Sequence, residues 1–202
     1  MSTARAILLM LAMSGGLLSG VFAASGREDG GRGPKVTPAV ALVFAVTATL
    51  SVLQFRFPEI LSLMRRDGTA LTQGEWWRLV TPLVVQDGGW AGTFFNLGTL
   101  LALGAMASET LGCRRWLLLY FGAGIGGEIV AYAWIHLGFA GNSIANMGVV
   151  AGLALLALRT PRWLANVPGA VAFACGLSLL AAGDLHGAAF AIGAVIAAIT
   201  VA

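Results

Sequence analysis

Only a few polar side chains interrupt the apolar segments of this 202-residue chain, and four of them could take part in chemistry. They are Asn96, Glu128, Ser143 and His186. A serine hydroxyl is a weak nucleophile unless a base removes its proton, and histidine performs that role most often. Ionisable groups inside membrane segments are rare and usually mark cavities. Whether Ser143 and His186 act together depends on the elements that carry them.

Two of these residues also have a simpler interpretation. Ser143 and its neighbour Asn142 could cap the start of a helix, because short polar side chains favour that position. His186 could be an interfacial histidine beside Asp184. Residue type alone therefore leaves both interpretations open.

Glu128 lies nine residues before the outer end of its apolar segment, which is roughly 13 Å at 1.5 Å per residue. A charged side chain at the bilayer centre costs at least about 2.5 kcal/mol on insertion scales. We therefore expect Glu128 to face the interior of the protein, with Asn146 or Ser178 as candidate polar partners, or to be protonated.

Composition identifies the class of protein. The chain is 58% hydrophobic and 10% charged, whereas a soluble domain has about 25% charged residues. This balance excludes a soluble globular domain and predicts an all-α, polytopic transmembrane bundle in a lipid bilayer. Cys113 and Cys175 have no cysteine or histidine at ligand spacing, so no disulfide, metal or cofactor is predicted. The excess of arginine indicates membrane orientation rather than a nucleic-acid partner.

Seven apolar segments have about the length that crosses a bilayer, roughly 17–25 residues. They are residues 6–24, 38–56, 91–109, 116–137, 142–158, 163–182 and 185–202. A Gly-rich charged linker, Ser25–Lys35, separates the first two. We expect residues 1–36 to form an N-terminal helix with this linker, and residues 37–202 to form the main membrane domain.

The distribution of Lys and Arg predicts the orientation of these segments. One set of alternate loops carries more cations than the other, and the richer side is expected to be cytoplasmic. The richer side holds Arg27, Arg32, Lys35, Arg114, Arg115, Arg159 and Arg162, and the other holds Arg5, Arg56, Arg65, Arg66 and Arg78. The first segment also resembles a signal peptide, with a possible cleavage site at Val21-Phe22-Ala23. The charge count favours an uncleaved extra helix with an outside N-terminus, because cleavage would place the linker outside.

Four stretches, in this order, resemble motifs of the rhomboid superfamily of intramembrane serine proteases, over about residues 37 to 200. They are Gly74–Pro82, which contains Trp77 and Arg78; Asn96 followed by the Glu109-x-x-Gly112 end of the same span; Gly141-Asn142-Ser143 with Gly148 five residues after the serine; and His186 through Gly193. The small residues of the last two stretches also predict that the fifth and seventh segments pack closely. The resemblance implies a six-helix rhomboid-like core preceded by one extra helix.

The resemblance also implies catalytic roles. Ser143 would be the nucleophile, His186 the base, and Asn96 an oxyanion donor. Three positions depart from the family pattern. Ile144 replaces a glycine, Gly92 replaces an oxyanion histidine, and Met147 replaces an aromatic residue that packs against the base.

We therefore expect an intramembrane serine endopeptidase that cleaves in or near the transmembrane segments of client proteins, in the plasma membrane of a bacterium. Gly92 and Ile144 leave open an inactive relative that binds such segments without cutting them. Glu128 leaves open a small membrane transporter, although no inverted repeat with broken helices is visible in the sequence.

Overall fold

The structure is a computed structural model that describes residues 2–24, 34–134, 138–161 and 163–200. Its main elements are helices α1 (Thr3–Ala24), α2 (Pro38–Arg56), α3 (Pro58–Met64), α4 (Gly68–Thr72), α5 (Gly89–Thr110), α6 (Cys113–Leu117), α7 (Ala123–Trp134), α8 (Ser143–Arg159), α9 (Trp163–Ala181) and α10 (Leu185–Thr200). A π-helical segment, Leu118–Gly122, joins α6 to α7 in one continuous element. The predicted all-α bundle is confirmed.

Each of the seven apolar segments coincides with a helix. Among the described residues, four helices are long and apolar enough to cross a membrane: α1, α2, α5 and the continuous element Cys113–Trp134. The remaining apolar helices are shorter, at Ser143–Arg159, Asn166–Ala181 and Leu185–Thr200. Most of the predicted Ser25–Lys35 linker, and the cation Arg162, lie outside the described residues.

The helices alternate in direction, so the same end of the bundle collects several helix ends. Ser143 and His186 lie at the starts of α8 and α10, and their side chains meet. Arg5, near the start of α1, donates to the carbonyl of Ala182 just after α9. We call this end of the bundle the site end. At the opposite end, the Glu109 carboxylate accepts a hydrogen bond from the backbone N–H of Lys35, 3.0 Å away, so this predicted motif residue ties α5 to the segment before α2.

Helix α8 is the centre of the bundle, and every residue from Ser143 to Ala154 is buried. A Cβ added at Gly193 of α10 would lie 2.6 Å from the Cα of Gly148. The expected close packing of these two helices is therefore present. Gly148 was expected to face α10. A Cβ added at Gly148 would instead meet Ala123 and the carbonyl of Leu119. Gly148 thus accommodates the π-helical segment, and Gly193 accommodates α8.

Helix α1 fits into a groove on the bundle. Its contacts come from one face of small residues, which allow close approach in the absence of a hydrophobic driving force between helices in lipid. A Cβ at Gly15 would lie 2.7 Å from the carbonyl of Pro168 in α9, and one at Gly16 would meet Val150 in α8. One at Gly20 would lie 3.1 Å from Met106 in α5. The floor of the groove is therefore α8, and α5 and α9 form its walls.

The region between α2 and α5 folds on the surface of the bundle. Trp76 and Trp77 are mostly exposed, as expected for aromatic residues at a membrane interface. Arg78 behaves differently from a side chain that reaches towards lipid phosphates. It is buried, and its guanidinium donates to the carbonyls of Ser62 and Arg65 at 2.7 and 2.9 Å. Arg78 therefore holds this loop region together from inside.

Candidate active site

The side chains of Ser143 and His186 meet at the site end of the bundle. The Oγ of Ser143 lies 2.9 Å from the Nε2 of His186, and each residue is 5% exposed. Both positions begin a helix, and the close contact of α8 with α10 sets the separation of the two helix starts. The structure thus brings together two residues that are 43 positions apart in sequence. This geometry permits transfer of the serine proton to the imidazole.

Asp184 contacts the imidazole nitrogen that does not face Ser143. Its Oδ1 lies 2.7 Å from the Nδ1 of His186 and accepts the backbone N–H of His186 at 3.0 Å. Burial raises the pKa of the Asp184 carboxyl. Its hydrogen bonds with His186, and the charges of His186 and Arg5, lower that pKa by more, so it falls below its ordinary value. The carboxyl is therefore ionised at neutral pH.

A network of side-chain amides lies beside Ser143. Asn96 donates to the Oε1 of Gln86 at 2.6 Å, and Gln86 donates to the Oδ1 of Asn142 at 2.7 Å. Gln54 of α2 binds the backbone N–H and carbonyl of Gln86. Asn96, the predicted oxyanion donor, is therefore present at the site, with one amide hydrogen directed at Gln86. Gln86 and Gln54 were not predicted from the sequence, because no periodic pattern marks them.

The start of α8 lies at Ser143, beside the imidazole of His186. Asn142 occupies the capping position, yet its side chain makes no capping hydrogen bond; it binds Gln86 and the carbonyl of Asn96 instead. The interpretation of Ser143 and Asn142 as a simple helix cap is therefore wrong. The first N–H groups of a helix lack intrahelical acceptors and favour negative charge. In α8 these first donors include the N–H groups of Ser143 and Ile144.

The loop before Ser143 is fixed by hydrogen bonds from the region between α2 and α5. The backbone N–H of Gly141 donates to the carbonyl of Pro82 at 2.9 Å. A Cβ at Gly141 would lie 3.4 Å from both Asn96 and Gln86, so the absence of a side chain there lets the amide network approach the loop. Asp87 also binds this loop, through both the N–H and the carbonyl of Ala140.

The three departures from the family pattern have different structural consequences. The side chain of Ile144 is fully buried and fills the space that Gly127 leaves open, where an added Cβ would lie 2.7 Å from it. Gly92 borders the same cavity as Ser143, and a Cβ there would meet nothing within 4 Å. The aromatic neighbour of the imidazole is Phe139, edge-on at a centroid distance of 6.0 Å. Phe139 was not predicted from the sequence, in which the aromatic position of the family pattern is occupied by Met147.

A cavity of about 570 Å³ opens onto Ser143 and His186. Most of its lining is apolar, and its polar residues include Asn96, Asp184 and Arg66. Helix α1 contributes one wall, through a set of residues in its first two turns. These residues are Arg5, Ala6, Leu9 and Met10. The cavity is thus a mainly apolar space with a few polar groups around the serine.

Glu128 is fully buried in α7, and its partner is Arg66. The expectation that Glu128 faces the interior agrees with this position, but the proposed partners are wrong. Asn146 donates to Thr99 at 2.9 Å, and Ser178 is exposed and bonds its own helix. Arg66 belongs to a loop that pairs with Phe139 by a backbone hydrogen bond of 2.9 Å. That pairing places its side chain over the end of α7, within reach of Glu128.

Metal-binding groups are absent from the part of the chain that the structure describes: no cluster of three or more His, Cys, Asp or Glu side chains could hold an ion. The other histidine of the sequence, His136, falls within residues 135–137, outside the described residues. Cys113 and Cys175 are both free thiols.

Comparison with known proteins identifies relatives of most of the chain. A family model described as the Rhomboid domain matches residues 73–202. Rhomboid protease GluP of Bacillus subtilis (strain 168) is 37% identical over 104 residues, which cover 52% of this chain and 20% of that protein. Putative rhomboid protease YdcA of the same organism is 30% identical over 125 residues, which cover 57% of this chain and 62% of that protein. The chain therefore matches less than two thirds of the length of either relative. Helices α1 and α2 precede the part matched by the family model.

Proposed function

Because this chain belongs to the rhomboid family, we propose that it is an intramembrane serine endopeptidase that cleaves client proteins in or near their transmembrane segments. It is an integral membrane protein, and the bacterial relatives support a location in the plasma membrane of a bacterium. The two relatives carry the word protease in their names, which supports the same reaction here.

The observation that carries the proposal is the 2.9 Å separation of the Ser143 Oγ from the His186 Nε2. In the first half-reaction Ser143 attacks the scissile carbonyl while His186 accepts the serine proton. His186 then donates that proton to the leaving amine, and an acyl-enzyme remains on Ser143. In the second half-reaction His186 removes a proton from water, the water attacks the ester, and the proton returns to Ser143.

Negative charge develops on the substrate oxygen in both steps, and donors near Ser143 are suited to hold it. The backbone N–H groups at the start of α8 point out of the helix, where its dipole also favours an anion. Asn96 is the side-chain candidate, and it has a second amide hydrogen besides the one given to Gln86. Gly92 offers no side-chain donor. The oxyanion site is therefore built mainly from backbone groups.

Water and an apolar client must both reach Ser143. The cavity beside it combines an apolar lining with the ionic groups of Arg5, Arg66, Asp87 and Asp184. Apolar walls favour a transmembrane segment, and the ionic groups favour the presence of water at the same point. This combination supports cleavage near the end of a client helix, where backbone hydrogen bonds are most easily opened.

The test is a comparison of purified wild-type protein with three variants, using a serine-reactive fluorophosphonate and a model transmembrane substrate. The wild type should label and cleave. Ser143→Ala should do neither, and His186→Ala should lose both because the serine lacks its base. Ser108→Ala is a matched control, since Ser108 is also buried but bonds only the carbonyl of Ala105 within its own helix. It should label and cleave like the wild type.

A rhomboid-like protein that binds transmembrane segments without cutting them is the second candidate. Two observations favour it: Gly92 supplies no donor, and the Asn96 amide is directed at Gln86. The same experiment separates the candidates. A well-folded wild type that neither labels nor cleaves, yet crosslinks to the model substrate, would identify the binder.

A further inference from the structure

Each nitrogen of the His186 imidazole has a hydrogen-bonding partner. Ser143 Oγ lies 2.9 Å from Nε2, and Asp184 Oδ1 lies 2.7 Å from Nδ1. An ionised carboxylate can only accept hydrogen bonds. The Nδ1 atom must therefore carry the proton, and Nε2 is left with a lone pair that faces the serine hydroxyl.

The backbone around Asp184 fixes the carboxylate in this place. The N–H of Asp184 donates to the carbonyl of Leu179 at 2.9 Å, and its own carbonyl accepts from Gly187 at 3.0 Å. Gly183 has a φ of +67°, a conformation that L side chains rarely adopt. In this turn between α9 and α10, Asp184 faces the residue two positions later.

A second charged group faces Asp184 from a different helix. The Nη1 atom of Arg5 in α1 lies 3.9 Å from the Oδ2 of Asp184, and the Nη2 of Arg5 donates to the Ala182 carbonyl at 2.7 Å. Arg5 is partly exposed, so its energetic contribution is small. Its position still favours the ionised carboxylate, and it leaves Oδ1 directed at His186.

We propose that Asp184 is a positioning residue that holds His186 in the Nδ1–H tautomer and stabilises the imidazolium formed when Ser143 gives up its proton. The inference rests on the proposed function, and it adds a third residue to the Ser143–His186 pair. No further bond is made or broken in this role. The proton moves only between Ser143, His186 and the leaving group or water, and the carboxylate stays ionised throughout.

Asp184 also caps α10 through the backbone N–H of His186, so the test must separate capping from positioning. Asparagine caps helices about as well as aspartate, and Asp184→Asn should therefore leave the thermal midpoint unchanged. In Asp184→Asn the amide oxygen that accepts the backbone N–H can still accept from Nδ1, as Oδ1 does now, but it carries no negative charge to stabilise the imidazolium. In the Ser-His-Asp template this change lowers kcat by roughly 10⁴-fold. Here we expect a loss in kcat of at least about tenfold with little change in KM.

Asp67→Asn is the matched control, because Asp67 caps the short helix α4 through the N–H of Ala70 and lies outside the cavity. It should leave kcat, KM and the thermal midpoint unchanged. If a folded Asp184→Asn protein cleaves as fast as the wild type, or loses activity only in proportion to a lower thermal midpoint, the positioning role is wrong and Asp184 is a helix cap only.

A measurement that does not need activity separates this inference from the proposed function. The sequence has 2 histidines, so ¹⁵N-histidine labelling of a His136→Gln protein reports on His186 alone. We expect ¹⁵N shifts of a protonated Nδ1 and an unprotonated Nε2, and a weaker preference for that tautomer in Asp184→Asn, because a neutral amide oxygen is a weaker acceptor than a carboxylate. An Nε2–H tautomer in the parent protein would overturn the positioning role. Failure of the parent to label or cleave, with the expected tautomer present, would overturn the protease proposal alone.

Discussion

The ring of Phe139 lies edge-on to the imidazole of His186, with 6.0 Å between the ring centroids and an interplanar angle of 86°. Phe139 comes from the loop before α8, and its backbone pairs with Arg66. The aromatic contact with the base is therefore supplied from outside the helix that carries the serine. This arrangement makes the orientation of the imidazole depend on the loop.

Phe139→Leu should lower kcat by about three- to tenfold, because an aromatic pair contributes roughly 0.5–1.5 kcal/mol beyond its buried area. Rates of cleavage and of fluorophosphonate labelling would measure the effect. Phe94→Leu serves as the control, since Phe94 is largely exposed and stacks on Trp90. An equal loss in both variants would show that the Phe139 effect is not exerted through the base.

Gly92→His should increase the rate of cleavage. An oxyanion donor is typically worth about 10²–10³ in rate, and the space around Gly92 is open on the side of the cavity. A rise of about tenfold is expected if the added imidazole reaches the substrate oxygen. Gly98→His provides the matched control, because a Cβ at Gly98 also meets nothing within 4 Å but Gly98 does not line the cavity. If a folded Gly92→His protein cleaves at the same rate as the wild type, the absence of a side-chain donor at Gly92 does not limit the rate.

Gly148→Ala should destabilise the protein, because the added methyl group would lie 2.5 Å from the carbonyl oxygen of Leu119 and overlap Ala123. Overpacking of this kind typically costs about 1–3 kcal/mol. The thermal midpoint in detergent is the measurement. Gly98→Ala meets open space and should keep or raise the midpoint, since alanine favours a helix over glycine. Equal midpoints for the two variants would mean that α8 and the π-helical segment are not in close contact.

Replacing Arg66 alone or Glu128 alone should lower the free energy of unfolding more than replacing both residues together. Removing one partner of a buried ion pair typically costs about 3–5 kcal/mol, because the other charge stays buried. Arg66→Met with Glu128→Leu should recover most of that loss. Thermal midpoints of the two single variants and the double variant would test the coupling. If the double variant lost as much thermal stability as the two single variants together, the coupling between Arg66 and Glu128 would be contradicted.

A substitution at Glu128 also tests the alternative that the protein is a small membrane transporter. Glu128 is ion-paired with Arg66, and we expect Glu128→Gln and wild-type protein in liposomes to give the same low proton flux. A flux in the wild type that Glu128→Gln abolishes would support transport.

Cysteines placed at Ser25–Lys35, at Arg114–Arg115 or at Arg159–Arg162 should resist membrane-impermeant thiol reagents in intact cells, because the cation-rich loops are predicted to be cytoplasmic. Cys113 and Cys175 are free thiols and must be replaced first. A cysteine in Trp76–Leu79 should be labelled and is the positive control. Labelling within Ser25–Lys35 would contradict the predicted orientation and favour a cleaved first segment.

The helices were predicted from local signals in the sequence, and the pair Ser143–His186 was implied by the resemblance to the family motifs. A run of apolar residues predicts a membrane helix whatever surrounds it, and the motif around Ser143 has a fixed spacing. Arg66, Gln86 and Phe139 leave no such signal. They lie in connecting segments between α2 and α5 or before α8, and their roles arise from the way these segments fold over the ends of the helices. The expected partners of Glu128, Asn146 and Ser178, lie in neighbouring helices. Its partner Arg66 lies in the connecting segment between α2 and α5.

The hydrogen bond from Arg5 to the carbonyl of Ala182 joins residues 177 positions apart. During synthesis, at about 5–20 residues per second, α1 enters the bilayer well before the groove that receives it exists. His186 and Asp184 emerge only with the last helix of the described chain. A nascent chain that has not reached His186 lacks the base of the proposed reaction. The pair Ser143–His186 can therefore form only after α1, α5 and α8 have been synthesised.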